Sequence, residues 1–227
     1  MDREGVKSKL GKIMTMNPLS PIHYTAIGDS ITVGIGSLFN YGYAHQYRDF
    51  IKKEWNAPVA FRNLGKAGWT SQQLLHALKN DASFFKAIQI ANIITCSIGG
   101  NDLIQAGRVY DKTKNKEAVE SALQNFRLNF LSIDRSIKSI KKSSHTPYII
   151  HYIEVYNPKP EFSLAQQWVK KLNQTLHKAA DSHTKIAPVY AAFLHHENTL
   201  LFVDGKHPNY KGHRLIAETI RSVDYKL

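Results

Sequence analysis

The stretch YTAIGDSITVGIGS, residues 24–37, sets a short apolar run against a Gly-Asp-Ser, with two more glycines close behind. Residues 24–27 carry no charge and read as a strand covered on both faces, the kind that parallel sheets contain. A strand ending on an acid and a hydroxyl is either a plain turn, since Gly, Asp and Ser all favour turns, or the seat of a nucleophile. The rest of the chain decides between the two.

Working outward, apolar runs like the one at 23–28 recur near 58–64, 91–98, 147–155 and 185–190. Helix-period segments lie between them near 43–55, 70–80, 117–142 and 162–181, with a last one near 209–223. The clearest is the long one. Val119, Leu123, Phe126, Phe130, Ile133, Ile137 and Ile140 recur at steps of four and three and form one stripe. Strand and helix alternate throughout, which predicts an α/β fold of the doubly wound, parallel-sheet kind. Pro188, inside the fifth run, predicts an edge strand there. The polar run QAGRVYDKTKNKE from Gln105 is expected to be a mobile loop after the third strand. With no internal repeat and no linker, the expectation is one domain over residues 1–227, of which 1–20 form a polar N-terminal extension.

A chain of 227 residues can bury one sizeable core, and 43% hydrophobic with 21% charged residues is an ordinary globular balance. No apolar run approaches the roughly 20 residues of a membrane-spanning helix. The opening MDREGVKSKLGKIMTMNPLSP lacks a continuous apolar core, so no secretory leader is expected and the setting is read as cytoplasmic or spore-associated. The single cysteine, Cys96, excludes an intrachain disulfide and a thiolate metal cluster and reads as a small core residue. His195, His196, His207 and Asp204 offer enough ligands for a zinc, but adjacent histidines point apart and no i, i+4 His pair occurs. Neither a metal nor a cofactor is expected. The net charge of +12 is spread in ones and twos and reads mainly as solvated helix faces, with peripheral contact to anionic lipid as the secondary reading. No nucleic-acid motif is present, and nothing in the sequence sets an oligomeric state.

The functional signal comes from the strand ends taken together. GDS, ending at Ser30, follows the first strand, NLGKAGWTS with Gly68 the second, and GGND with Asn101 the third. DGKHPN, with Asp204 and His207, precedes the last helix. Turns at one edge of a parallel sheet bring distant residues together. Acyl transfer needs a nucleophile, a base, an orienter for the base and donors for the oxyanion. Ser30, His207, Asp204 and the pair Gly68 and Asn101 supply one of each. His207 precedes Pro208, which biases it away from helical dihedrals and leaves Pro208 free to take the first helical position. The step of three lets the Asp204 carboxylate reach one imidazole nitrogen while the other faces Ser30. The G-x-S-x-G elbow of α/β-hydrolases is excluded, because Thr32 stands where its last glycine belongs. Asp29 and Asp102 are read as loop braces.

These four ordered blocks resemble the SGNH (GDSL-type) lipase/esterase superfamily from Tyr24 to about Val223, with Ile31 where the GDSL label has leucine. The resemblance implies a flavodoxin-like three-layer α/β/α sandwich with a five-stranded parallel sheet. It implies Ser30 as nucleophile, His207 as general base and acid, Asp204 as its orienter, and an oxyanion hole from the N–H groups of Ser30 and Gly68 and the Asn101 amide. YNPKP and SIGGNDLI are similar to segments of Bacillus-type members, which include spore-germination lipases. The expected activity is a cofactor-free serine esterase or lipase, with a (lyso)phospholipid or other lipid or small-molecule ester as substrate. The alternatives are a carbohydrate O-deacetylase and, from another class, a non-catalytic binder of acidic polymers. Ile31, Trp69, Leu103 and Tyr156, with Val33 and Ile104, are candidates to receive an acyl chain.

Overall fold

The run around Tyr24 is a strand with covered faces: Tyr24 and Ala26 point into one apolar cluster and Ile27 into the other. The computed structural model describes residues 20–223, so the extension expected over 1–20 falls, except for Ser20, outside the described residues. Five strands form the sheet: β1 (Ile22–Gly28), β2 (Val59–Gly65), β3 (Ile93–Ser97), β4 (Ile149–Ile153) and β5 (Thr184–Ala187). Their order is β2-β1-β3-β4-β5 and every neighbouring pair is parallel. The helices are α1 (Ser30–Val33), α2 (Tyr43–Trp55), α3 (Ser71–Asn80), α4 (Ala82–Ile90), α5 (Gly100–Thr113) and α6 (Glu117–Ser144). They continue with α7 (Ser163–His177), α8 (Val189–Phe193), α9 (Glu197–Leu200) and α10 (Tyr210–Ser222).

Two cores sandwich the sheet. One gathers α3, α4, α6 and α7, and the other α2, α8 and α10. The expected stripe of α6 is buried along its length except at half-buried Leu123. Winding reverses between β1 and β3, whose last residues, Gly28 and Ser97, are register partners. In open α/β sheets ligands sit at such a reversal, beyond the carboxyl ends of the strands.

Three expectations need correction. The polar run from Gln105 is helix as far as Thr113, because Leu103 packs on the first core, Ala106 is buried, and Tyr110 meets Trp168 edge-on at 5.2 Å. A helix that covers a core with one narrow stripe is polar in composition, and composition alone reads it as loop. Pro188 lies beyond β5, not inside it: β5 is the edge strand, but it ends at Ala187, and Pro188 caps α8. Pro208 precedes α10 without entering it. Asn209 is the cap, its side chain accepting from the Gly212 N–H at 3.1 Å.

Candidate functional site

β1 delivers Ser30 directly to the sheet's carboxyl edge. Gly28 has φ +134°, and a Cβ there would lie 2.0 Å from the Ser97 carbonyl oxygen, so only glycine lets the chain turn this close to β3. Asp29 then caps the single turn α1, accepting from the Ile31 N–H at 3.0 Å, and Gly34 ends that turn at φ +96°. Ser30 is its first residue, so its own N–H has no helical partner. Asp29 also accepts from the Ser97 hydroxyl at 2.9 Å. Burial raises its carboxyl to about 6, while those two hydrogen bonds pull it down. It is a brace, as the sequence suggested.

His207 arrives from a hairpin-like turn. The Phe202 N–H donates to the His207 carbonyl at 2.8 Å, and the Gly205 N–H to the Phe202 carbonyl at 2.9 Å. Asp204 Oδ1 accepts the backbone N–H groups of Lys206 and His207, both at 3.0 Å, which leaves Oδ2 for His207 Nδ1 at 2.5 Å. Burial pushes the Asp204 carboxyl up, and the hydrogen bonds from His207 and the Lys206 N–H outweigh it, holding it down at about 2. An ionised Asp204 can only accept, so the shared proton sits on Nδ1 and Nε2 of the neutral ring is bare. That Nε2 lies 2.9 Å from Ser30 Oγ, which donates to it.

The other two turns reach the same edge. The Lys66 N–H donates to the Gly28 carbonyl at 2.9 Å, and Gly68, exposed and with φ +80°, occupies the turn closed by the Trp69 N–H on the Lys66 carbonyl. Asn101, in the first turn of α5, donates one amide hydrogen to the Trp69 carbonyl at 2.8 Å. That bond fixes which way the amide points, and its second hydrogen remains available. Asp102 braces the junction from below by accepting from the Ser71 N–H and, at 2.5 Å, the Ser71 hydroxyl.

The candidate acyl contacts separate. Ile31, Trp69 and Leu103 are half-buried against the two cores, and Trp69 stacks on Phe84 at 5.8 Å. Val33 is half-buried and Ile104 exposed. Tyr156 is buried, stacks on Phe193, and donates its hydroxyl to the Lys206 carbonyl at 2.5 Å, so it supports the turn that carries Asp204 and His207.

Sequence reasoning missed the polar layer behind Ser30. Thr32 Oγ1 donates to the Ile27 carbonyl at 2.9 Å and meets Ser97 Oγ at 2.7 Å and the Tyr43 hydroxyl at 2.9 Å. No sequence spacing signals these contacts, which depend on strand register. It also missed His213, wholly buried on α10. Its Nδ1 accepts from the Tyr43 N–H at 3.2 Å and its Nε2–H donates to the Ile35 carbonyl at 2.9 Å, pinning the segment beyond α1.

Burial lowers the His213 pKa from 6.5 to about 4, with His207 adding to the lowering and the Ile35 carbonyl opposing it. Between those values the unfolded chain binds a proton that the folded chain refuses. This contribution is therefore at full strength above 6.5 and falls as the pH drops toward 4, by about 3 kcal/mol in all. His151, lowered to about 3 by burial, acts in the same direction, and the raised Asp29 partly offsets both. Denaturant unfolding at about pH 7 and about pH 5 is expected to show His213→Gln losing less stability on acidification than the parent chain. Equal losses would remove His213 from the account.

A model of the GDSL-like lipase/acylhydrolase family matches residues 26–215. The chain belongs to this family. It is therefore placed among carboxylic ester hydrolases. It is similar to the spore germination lipase LipC of Bacillus licheniformis, at 30% identity over 206 residues, covering 90% of this chain and 97% of LipC. The structure resembles that of the lipase Lip_vut3 from a goat rumen metagenome, with a TM-score of 0.86, 30% identity, and coverage of 90% and 98% of the two chains. The acetylxylan esterase Axe2 of Geobacillus stearothermophilus shares the fold at a TM-score of 0.61 and 19% identity, over 93% of this chain and 98% of Axe2.

Proposed function

We propose that the protein is a serine esterase acting on lipid esters, (lyso)phospholipids included, through an acyl-enzyme on Ser30. The observation that carries this reading is the series of hydrogen bonds from Ser30 Oγ through His207 to Asp204 at the reversal point of the sheet. Ser30 Oγ attacks the ester carbonyl carbon as its proton passes to His207 Nε2, and the imidazolium so formed is stabilised by Asp204. The carbonyl oxygen becomes an oxyanion held by the N–H groups of Ser30 and Gly68 and the free Asn101 amide hydrogen. Collapse breaks the bond to the alcohol, which leaves with the proton from His207. Water then attacks the acyl-enzyme carbonyl, giving its proton to the same nitrogen, and collapse breaks the bond to Ser30 Oγ, which takes that proton back from His207 as the acid leaves. No step calls for a cofactor.

Asn101→Ala is expected to lower kcat on p-nitrophenyl esters by about 10²–10³ with KM little changed, as for other single oxyanion donors. Retention of full turnover would remove Asn101 from the oxyanion hole. The similarity to two lipases at 30% identity supports a lipid ester, and that to a spore germination lipase supports a spore setting.

One observation favours a second reading, a carbohydrate O-deacetylase. A groove of about 700 Å³ runs from Trp69, the neighbour of Gly68 in sequence, along α3 past Gln72, Gln73, His76 and Asn80, so an aromatic side chain and amide groups share one lining. Aromatic faces and amides are the chemistry that a sugar ring accepts. Rates on long-chain p-nitrophenyl esters and on an acetylated sugar separate the two. Acetate release from the sugar at the higher kcat/KM would overturn the lipid reading.

A further inference from the structure

Among the described residues, the three most exposed large apolar side chains are Val203 at 93%, Phe39 at 92% and Leu38 at 74%, and all belong to segments that touch His207 or Asp204. Val203 is in the turn that presents Asp204. Leu38 and Phe39 follow Gly36, whose missing Cβ would lie 2.2 Å from the Pro208 carbonyl and 3.1 Å from His207 Cβ, so this loop lies directly against the histidine. Exposed Phe202 flanks the same turn. Exposed Phe162 ends the loop in which Tyr156 holds the Lys206 carbonyl.

Water does not favour such a rim. Phe39 and Asn40 both adopt left-handed backbone, φ 53° and 54°, a conformation that costs side-chain-bearing residues free energy. The loop is nonetheless closed by its own hydrogen bonds, from the N–H groups of Asn40, Tyr41 and Gly42 to the carbonyls of Ser37, Leu38 and Asn40. His213 anchors it at both ends. Phe39 is thus held outward by design of the backbone, not left over by loose packing. Exposed lysines lie on the same segments or on ones that meet the site: Lys206 stands in the turn between Asp204 and His207, Lys159 lies over the Phe162 ring, Lys66 bonds the Gly28 carbonyl through its N–H, and Lys211 follows Pro208 at the start of α10. On these segments the exposed carboxylates are Glu161 and Asp204, and Asp204 is paired with His207.

We propose that this rim docks the protein on an anionic lipid surface, with Leu38, Phe39 and Val203 entering the interface and the lysines meeting the headgroup charge. A fully exposed apolar tip ringed by cations is suited to that boundary, where apolar burial and attraction to anionic lipid add. The inference rests on the esterase reading, because it makes the rim the device that brings ester bonds to Ser30.

The test separates docking from hydrolysis. Full-length Ser30→Ala is mixed with vesicles of phosphatidylglycerol or of phosphatidylcholine and sedimented. Binding to phosphatidylglycerol that is weakened by salt and by the change to phosphatidylcholine is the expected result. Adding Leu38→Asn and Phe39→Asn, the second at a left-handed position that asparagine tolerates, is expected to weaken it by about tenfold or more. In the presence of an intact Ser30, the same two changes leave p-nitrophenyl acetate turnover within about twofold, which shows that the fold survives. No binding to phosphatidylglycerol, or binding unaffected by the double change, overturns the proposal. So does a shift from dimer to monomer on the double change without vesicle binding, which would assign the rim to a second copy of the chain. Vesicle binding by a protein that hydrolyses no ester would leave the docking surface standing and remove the esterase reading alone.

Discussion

Ser30→Ala is expected to lower ester hydrolysis by about 10⁶-fold and to abolish labelling by a fluorophosphonate, with the folded state unchanged. The expected loss is this large because the proposed route has no second nucleophile. Cys96, the one thiol, is buried in β3 with its ionisation pushed up by burial, and it belongs to the apolar core. Removing the Ser30 hydroxyl leaves His207 Nε2 without its partner but disturbs no packing, since the Asp29 cap and the contacts of Thr32 remain. The control is thermal unfolding, where a change of a few degrees at most is expected. A variant that kept its activity and its label would place the nucleophile elsewhere.

Asp204→Asn is expected to lower kcat by about 10⁴-fold while the turn keeps its shape. The asparagine carbonyl can take the place of Oδ1, accepting the N–H groups of Lys206 and His207. Its amide then faces His207 Nδ1 where an oxygen stood. An amide N–H donates, so Nδ1 must accept and the ring proton moves to Nε2, the nitrogen that has to take the proton of Ser30. The loss is thus one of tautomer, and it would appear in kcat far more than in KM. With the parent Asp204 held at about 2, its own protonation lies well below neutral pH and does not limit turnover there. Rates for this variant close to those of the parent chain would mean that Asp204 does not set the state of His207.

How far these features were readable depended on how local their causes are. α2 runs from Tyr43 to Trp55 as expected, because its apolar spacing and flanking Gly42 and Asn56 all lie within one short segment. The strands were readable from short runs rich in Ile, Val, Tyr and Ala, for example Ile93 and Ile94 in β3. α4 was missed. A single residue, Asp81, separates it from α3, and its start signal, Asp81 accepting from the Ser83 N–H at 2.7 Å, sits in a stretch to which no element was assigned. In the site, Ser30, Asp204 and His207 stood out because each sits at a strand or helix boundary in a short motif. Thr32, Ser97 and His213 did not, and Tyr156 stood out only as a candidate acyl contact and not as the support of the Lys206 carbonyl, since each acts through a partner 50 or more residues away, apart from the nearer contacts of Thr32. The exposure of Phe39 was equally hidden, for a Leu-Phe pair in sequence reads as core.

The hydrogen bond between Ser30 and His207 closes a span of 177 residues, and it depends on α10, the last of the described helices. α10 seats Ile216, Ala217 and Ile220 in the second core and lays Arg214 and Arg221 over the Phe50 ring of α2. A nascent chain therefore carries Ser30 well before His207, and the two meet only when α10 docks. On the proposed mechanism Ser30 has no base until then, so partly made or partly folded molecules are expected not to attack the esters around them. Turnover, on the proposed mechanism, measures the completion of folding as well as the chemistry.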